Sequence, residues 1–595
     1  MVRTLSKHIG KYKWATILTP CMMVLEVLME VLIPYVIARL IDQGIEAGNM
    51  EKIWQYGFIM LVMACFSLLF GSLGGIFAAN ASTGFASNLR EAMYRRIQEY
   101  SFSNIDKFST AGLVTRMTTD VSNVQMAFQM LTRIAVRAPM TLVISIIMCF
   151  TIDYQLSLVF VVALFILSLS LFFIVSRTMK LFKEAFKRYD DVNASVQENV
   201  TAIRVVKAYV REKYENEKFA VAAGNLYKLF TNAEIMIALN NPIMMTVIYG
   251  SIIALSWFGA QFIVGGTLTT GELTSMFSYV ISVLSSLMML SMIFVMLTMS
   301  IASANRITEI LVETPSITNP ENPVMEVKSG EIQFDNVHFS YAHGAEEEIL
   351  TGIDLTIHDG ETIGIIGGTG CGKSSFVNLI SRLYDVDQGS VSVGGVDVRD
   401  YDLEVIRNEV AVVLQKNVLF SGTILENLRW GNEDATLEEC IEVCKMACAD
   451  EFIENMPEKY DSWIEQGGAN VSGGQKQRLC IARALLKHPK VLILDDSTSA
   501  VDTATDARIR EAFAKKIPGT TKIIIAQRIS SVQYADRIIV MEDGHIDGFD
   551  THENLLASNK IYQEIYETQT KGGGDFDETI SERGKEEKIW QNQNQ

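Results

Sequence analysis

A chain of 595 residues exceeds one ordinary domain, so two or three domains are expected, with ample material for a large core. The net charge of −18 argues against nucleic acid as a partner, because a phosphate backbone attracts basic patches rather than an acidic surface. Apolar residues make up 49% of the chain, and long uncharged apolar stretches crowd the first half while soluble alternation fills the second, so a membrane part comes first.

Arg3, Lys7, Lys11 and Lys13 precede an apolar run over residues 14–41 that is too long for a signal-peptide core and lacks a small-residue cleavage site. At about 20 apolar residues per crossing it reads as a first transmembrane helix. Five more follow at residues 53–79, 131–152, 156–175, 235–264 and 273–301, which returns the chain to its starting side. Two of the connections are long. They carry Arg90, Arg95, Arg96 and Lys107 in the first, and Lys180, Lys183, Lys187, Arg188, Arg204, Lys207, Arg211, Lys213 and Lys218 in the second. The positive-inside rule makes both cytoplasmic, together with the N-terminus. Apolar residues at helical spacing, as in Leu89, Met93 and Ile97, predict that the transmembrane helices continue well beyond the membrane.

Glu26 and Glu30 fall on one face of the first span, where acids are costly enough to suggest function. They either pair structurally with Arg133 or Arg137, the preferred reading, or line a cavity that attracts cationic substrate. Met288, Met289, Met292, Met296 and Met299 stripe the last span; flexible thioethers suit a promiscuous binding surface, although ordinary packing explains the stripe more simply.

Two prolines and polar residues at 319–323 end the helical pattern and mark a domain boundary. The expected division is a membrane domain over 1–318, a linker over 319–326 and a soluble domain over 327–570. Residues 331–341 read as a strand ending on Tyr341, whose ring is suited to stack on a base. The apolar run 362–366 leads directly into 367–374, GGTGCGKS, and a helical pattern over 375–383 follows. This is G-x-x-x-x-G-K-S in the strand–loop–helix setting that a phosphate-binding loop needs. Gly367, Gly370 and Gly372 let the backbone turn tightly and aim N–H groups inward, and the helix N-terminus adds its positive end. Lys373 then reaches the β- and γ-phosphates of a nucleotide, while Ser374 is placed to ligate Mg²⁺.

The eight cysteines include no C-x-x-C pair, so free thiols in a reducing compartment are expected. Cys440, Cys444 and Cys448, spaced by four, are expected to form a buried helix face rather than a metal site. Residues 471–475, VSGGQ, open a helical pattern over 479–486 and offer a second anion site. The short apolar strand 491–494 ends at Asp495, an acid placed to hold Mg²⁺.

In this order, GGTGCGKS, Gln415 after a strand, VSGGQKQR, VLILDD and residues 499–502 resemble an ATP-binding cassette domain. With six spans in front, nearly the whole chain is similar to the exporter-type half-transporters of that superfamily. The fold implied is a helical membrane domain followed by an α/β P-loop ATPase. The resemblance further implies that two such chains pair head to tail, sandwiching ATP between one P-loop and the partner's VSGGQ. Tyr341 is then the adenine platform, Ser375 a neighbour of the phosphates, and Gln415 a Mg²⁺ and water contact. Ser472, Gly473, Gly474 and Gln475 face the partner's nucleotide, and residues 104–108 and 208–212 mark approximate coupling segments.

Two positions depart from the pattern. Asp496 stands where the family usually has a glutamate that polarises water, one methylene too short for the productive position, and a 1 Å misplacement costs on the order of a hundredfold. Gln527 stands where a histidine contacts the γ-phosphate, and an amide carries no positive charge toward the transition state. Both changes in one site, beside an intact P-loop and VSGGQ, are similar to the slowly hydrolysing subunit of heterodimeric bacterial multidrug exporters. The expected partner is therefore a different half-transporter with Glu and His restored, in the plasma membrane, moving amphipathic or hydrophobic small molecules. A nucleotide-gated channel or regulatory subunit, and an exporter-fold importer or a lipid or peptide transporter, are the alternatives. The Gly-, charge- and amide-rich tail 571–595 is expected to be disordered.

Overall fold

The computed structural model describes residues 1–341, 348–497 and 499–571. The tail expected to be disordered lies outside the described residues from 572 onward. Two compact units form: residues 1–99 with 109–313, and residues 100–108 with 314 onward.

The first unit is helical, and among the described residues six helical stretches are long and apolar enough to cross a membrane. Met50–Gln98 and Tyr154–Thr201 run for 49 and 48 residues, about 70 Å each at 1.5 Å per residue, against a hydrocarbon core of roughly 30 Å. Both are longer than one crossing needs, in keeping with the helical periodicity of the long connections. Short connections are set by capping chemistry. Asn49 accepts from the Glu51 and Lys52 amides, Asp153 accepts from Leu156, and Thr269 with Glu272 forms a reciprocal capping box.

Packing in this unit combines small residues with a few buried polar ties. A Cβ on Gly74 would collide with Met23, and one on Gly71 would touch the Glu26 carboxylate, so the second helix presents a flat stripe on which the first one lies. Tyr279, fully buried, donates to the Val31 carbonyl at 2.9 Å. Arg306 grips the buried Asp120 with two hydrogen bonds, of 2.7 and 2.5 Å.

The second unit is α/β. Its six-stranded sheet runs in the order His545–Asp550, Arg537–Glu542, Thr362–Gly367, Thr521–Ile525, Val491–Asp495, Val410–Val413, parallel throughout except for the first strand. Both faces are covered, as a parallel sheet requires. One face packs on a core that includes Ile363, Ile365, Phe376 and Val377, and the other on one that includes Leu479, Ile481, Leu494 and Ile509. A four-stranded antiparallel sheet holds Ile332–Phe339 between Leu350–Ile357 and Gln388–Val393. Cys440, Cys444 and Cys448 are all buried in core, and burial pushes the Cys444 thiol up to about 12. Among the described residues no group of three or more acidic, His or Cys side chains is placed to hold a metal.

The short helix Phe102–Phe108 belongs to this second unit. Asn104 donates to the Thr314 carbonyl and accepts from the Ser316 amide, at 3.2 and 3.1 Å. Tyr384 donates to Asp106 at 2.6 Å. Residues within the expected linker are also tied down: Asn319 accepts from the Leu403 amide at 2.9 Å, and Val324 bridges to Tyr401.

Candidate active site

The parallel sheet delivers its functional residues at the carboxyl ends of its strands, where an open α/β sheet binds ligands. Thr362–Gly367 ends in the glycine-rich loop, Val491–Asp495 ends on Asp495, and Thr521–Ile525 leads to Gln527. Gly370 and Gly372 adopt φ of +88° and +95°, which an L side chain resists. Among the described residues nothing lies within 4 Å of where a Gly370 Cβ would stand, and Gly370 lines a cleft. Gly372 starts the helix Lys373–Ile380, whose first amides face that opening.

One cleft of about 330 Å³ is lined by Tyr341, Gly367, Gly370, Gly372, Lys373, Ser374, Ser375, Gln415, Asp495, Asp496 and Gln527. These are the residues that the sequence assigns to the chain's own nucleotide, gathered from five separate stretches. Lys373 Nζ donates to the carbonyls of Gly367 and Gly368 at 2.8 and 2.7 Å, which holds the ammonium over the loop. Tyr341 and Ser375 share a hydroxyl hydrogen bond of 2.8 Å, and the Tyr341 ring stands edge-on to Phe339 and Tyr384. Tyr341 is half-exposed, at 47%.

Asp495 is buried, and burial pushes its carboxyl above the ordinary range, opposed by a hydrogen bond from Ser374 and the charge of Lys373. A buried carboxylate joined to a hydroxyl is a hard oxygen donor set of the kind Mg²⁺ takes, so Ser374 and Asp495 fit the metal, and Gln415 lines the same cleft. Asp496 is likewise raised, first by burial, with a hydrogen bond from Gln415 opposing and Asp495 adding to it. Its backbone is left-handed, φ +47°, a conformation that aspartate adopts more readily than most non-glycine residues. Gln527 Nε2 donates to Asp496 Oδ2 at 3.2 Å.

Ser472, Gly473, Gly474 and Gln475 do not line this cleft. They open the helix Gly473–Leu485, where Ser472 Oγ accepts from the Gln475 amide at 3.3 Å and Gln475 Oε1 accepts from Ser472 at 2.8 Å. The turn is fastened to the loop after Asp496. Gln477 donates to Ser499 Oγ and accepts from the Ala500 amide, and Ser499 Oγ donates to the Asp496 carbonyl at 3.0 Å.

In the membrane unit a single arginine serves both acids. Arg137 reaches Glu26 Oε1 at 3.2 Å and Glu30 Oε2 at 2.9 Å, so it is Arg137 that forms the pair. Glu26 is buried, and among the described residues its Oε2 has no hydrogen-bond partner. Met288, Met289 and Met292 are exposed, whereas the Met299 side chain lies outside the described residues.

Sequence reading missed Ile349, Ile366, Ile525 and Ile565, the apolar part of the cleft wall. The helix Lys560–Lys571 that supplies Ile565 shows no local signal for such a role.

Comparison with known proteins agrees with this architecture. The model of the ABC transporter transmembrane region matches residues 16–307, and the ABC transporter model matches residues 350–499. The chain is 34% identical to the ABC transporter ATP-binding protein YfiB of Bacillus subtilis over 548 residues, 92% of this chain and 95% of that one. It is 30% identical to ABC transporter B family member 4 of Dictyostelium discoideum, over 90% of this chain and 70% of the relative. Among solved structures, a bacterial Atm1-family ABC exporter with ATP bound superposes with a TM-score of 0.80 at 22% identity, covering 94% of this chain and 99% of that one.

Proposed function

This chain belongs to the ABC transporters and is a multi-pass membrane protein whose ATPase domain drives transport; we propose that it is the slowly hydrolysing half of a heterodimeric exporter of amphipathic or hydrophobic small molecules in the plasma membrane. Its N-terminus and ATPase domain are cytoplasmic in this reading, which the lysine- and arginine-rich long connections support.

The observation that carries the reading is the hydrogen bond from Gln527 to Asp496. Where a general base and a cationic γ-phosphate contact are needed, a short carboxylate and a neutral amide hold each other. Lys373, the glycine loop and Tyr341 bind ATP. Mg²⁺ held by Ser374 and Asp495 supplies neutralisation of phosphate charge when bound. Asp496 then positions water poorly and Gln527 contributes only a dipole. The turn Ser472–Gln475 is intact and serves the partner's nucleotide, so the competent site of the pair is the one that the partner's P-loop holds. Exposed thioethers at Met288, Met289 and Met292, with the Glu26–Arg137–Glu30 group, support an adaptable path for amphipathic substrates.

The test is made in the assembled pair. Ser472→Arg places a bulky cation in the anion site that faces the partner's γ-phosphate and is expected to abolish ATPase and transport, while Asp496→Asn changes turnover by much less. Loss of turnover in Asp496→Asn as complete as in Ser472→Arg makes this site catalytic and defeats the reading.

A further inference from the structure

Parallel strands buried on both faces are built from nearly continuous apolar runs, and Thr521–Ile525 breaks that rule at its second residue. Lys522 is only 4% exposed, in the middle of the sheet, paired with Thr362 on one side and Leu492 on the other. Its Nζ donates to the Thr520 carbonyl at 2.7 Å, and among the described residues it makes no ion pair. An ammonium has three donors, so this one is under-satisfied. Burial pushes Lys522 below the ordinary lysine range, with the charge of Asp536 opposing; Asp536 Oδ2 accepts from the Thr362 amide at 2.8 Å and makes no ion pair with Lys522 among the described residues.

Lys522 opens on a cavity of about 550 Å³ between the sheet, the helix Thr503–Lys516 and the segment that follows Ile529–Val532. The cavity is larger than the nucleotide cleft, and no step proposed above uses it. Its second cation is already committed: Arg510 pairs with Asp506 at 3.1 Å and donates to the Ser530 carbonyl at 3.1 Å. Its guanidinium also lies 5.3 Å from the centre of the Tyr534 ring, and Tyr534 is 75% exposed.

We propose that this cavity is a second ligand site, which takes a small organic anion bearing an aromatic ring, its anionic group on the Lys522 ammonium and its ring against Tyr534. A buried charge calls for a counter-charge; among the described residues lining this cavity, Arg510 is paired with Asp506 and the acid, Glu511, with Lys515 at 2.6 Å, which leaves Lys522 as the cation without an ion pair. The volume falls within the range of about 300–1,000 Å³ typical of small-molecule pockets. The site is separate from the nucleotide cleft yet close to it. A smaller cavity of about 120 Å³ shares Thr503, Ser530 and Ser531 with the new site, and Asp496 and Gln527 with the nucleotide cleft. The smaller cavity thus lies between the new site and the Gln527–Asp496 pair.

The experiment is ligand-observed ¹⁹F NMR on the full-length chain in lipid nanodiscs saturated with ATP. Its probes are 4-fluorophenyl phosphate and the neutral 4-fluorobenzyl alcohol. The phosphate ester is expected to bind and the alcohol not. Lys522→Met, which keeps the apolar stem, is expected to weaken the ester about tenfold or more, since a hydrogen bond to a charged group is lost. Tyr534→Ala, on the surface, is expected to weaken it as well, and carries the test if Lys522→Met does not fold. Absence of ester binding at saturating ATP, equal binding of the alcohol, or indifference to both substitutions overturns the proposal.

Discussion

Gln527 Nε2 donates to Asp496 Oδ2 across 3.2 Å, so the two residues expected to handle the attacking water and the γ-phosphate are bound to each other. In the proposed reading neither contributes what fast hydrolysis needs: the carboxylate is short and half-buried, and the amide is uncharged.

Restoring both groups is expected to restore the rate. Asp496→Glu alone raises ATP hydrolysis only in part, because Gln527 still leaves the γ-phosphate without a cation, and Asp496→Glu with Gln527→His adds the remainder. General-base catalysis is worth about 10² to 10⁴ in rate. Steady-state ATPase of the full chain in lipid checks this, and full recovery from Asp496→Glu alone would show that the glutamine is harmless.

Asp496 also costs stability. Burial raises its folded-state value above that of the unfolded chain, so the native form holds the proton more tightly and stability falls as pH rises through the folded value. Asp496→Asn is expected to melt higher than the parent at pH 7, by less than about 1 kcal/mol because the group is half open to solvent, and the advantage shrinks as pH falls toward the ordinary aspartate range. Thermal unfolding at several pH values reads it; a lower melting temperature at pH 7 contradicts it.

Gly474 packs against the backbone of the loop after Asp496. A Cβ there would stand 2.8 Å from the Ala500 carbonyl oxygen, and that loop is pinned by Gln477 and Ser499. Gly474→Ala is expected to shift the turn, cost about 1–3 kcal/mol as overpacking does, and lower ATPase of the assembled pair. Unchanged unfolding and activity would show that the loop yields freely.

In the membrane unit, Asp120→Ala leaves Arg306 without its carboxylate, and Arg306→Met leaves Asp120 buried and unpaired. The second is expected to be the more damaging, by roughly 3 kcal/mol, and Asp120→Leu with Arg306→Met to recover much of it. Thermal stability of the purified chain measures the order; equal effects of the two single changes would argue that the pair is not a buried one.

How much was legible follows from how local each signal is. The glycine loop, Asp495 and VSGGQ sit in short strand–turn–helix settings whose residue types are dictated by backbone angles and phosphate geometry, and the structure gathers the cleft residues as their motifs imply. The apolar wall was not legible, because Ile349 and Ile565 reach the cleft from distant elements with ordinary core residues. The choice of Arg137 over Arg133 was open for a similar reason: both lie four positions apart on one helix, and only packing decides which one meets Glu26 and Glu30. Nor could the sequence assign 100–108 to the soluble unit, since its ties are single polar contacts such as Asn104 with Thr314 and Ser316.

The central claim is that this chain's own site binds ATP and turns it over slowly, and the most direct measurement is on the chain purified alone in lipid. Titration with a fluorescent ATP analogue is expected to show binding that Lys373→Ala abolishes, while phosphate release stays below that of the Asp496→Glu, Gln527→His variant by about 10² or more. Phosphate release from the unaltered chain at the variant's rate would contradict the account.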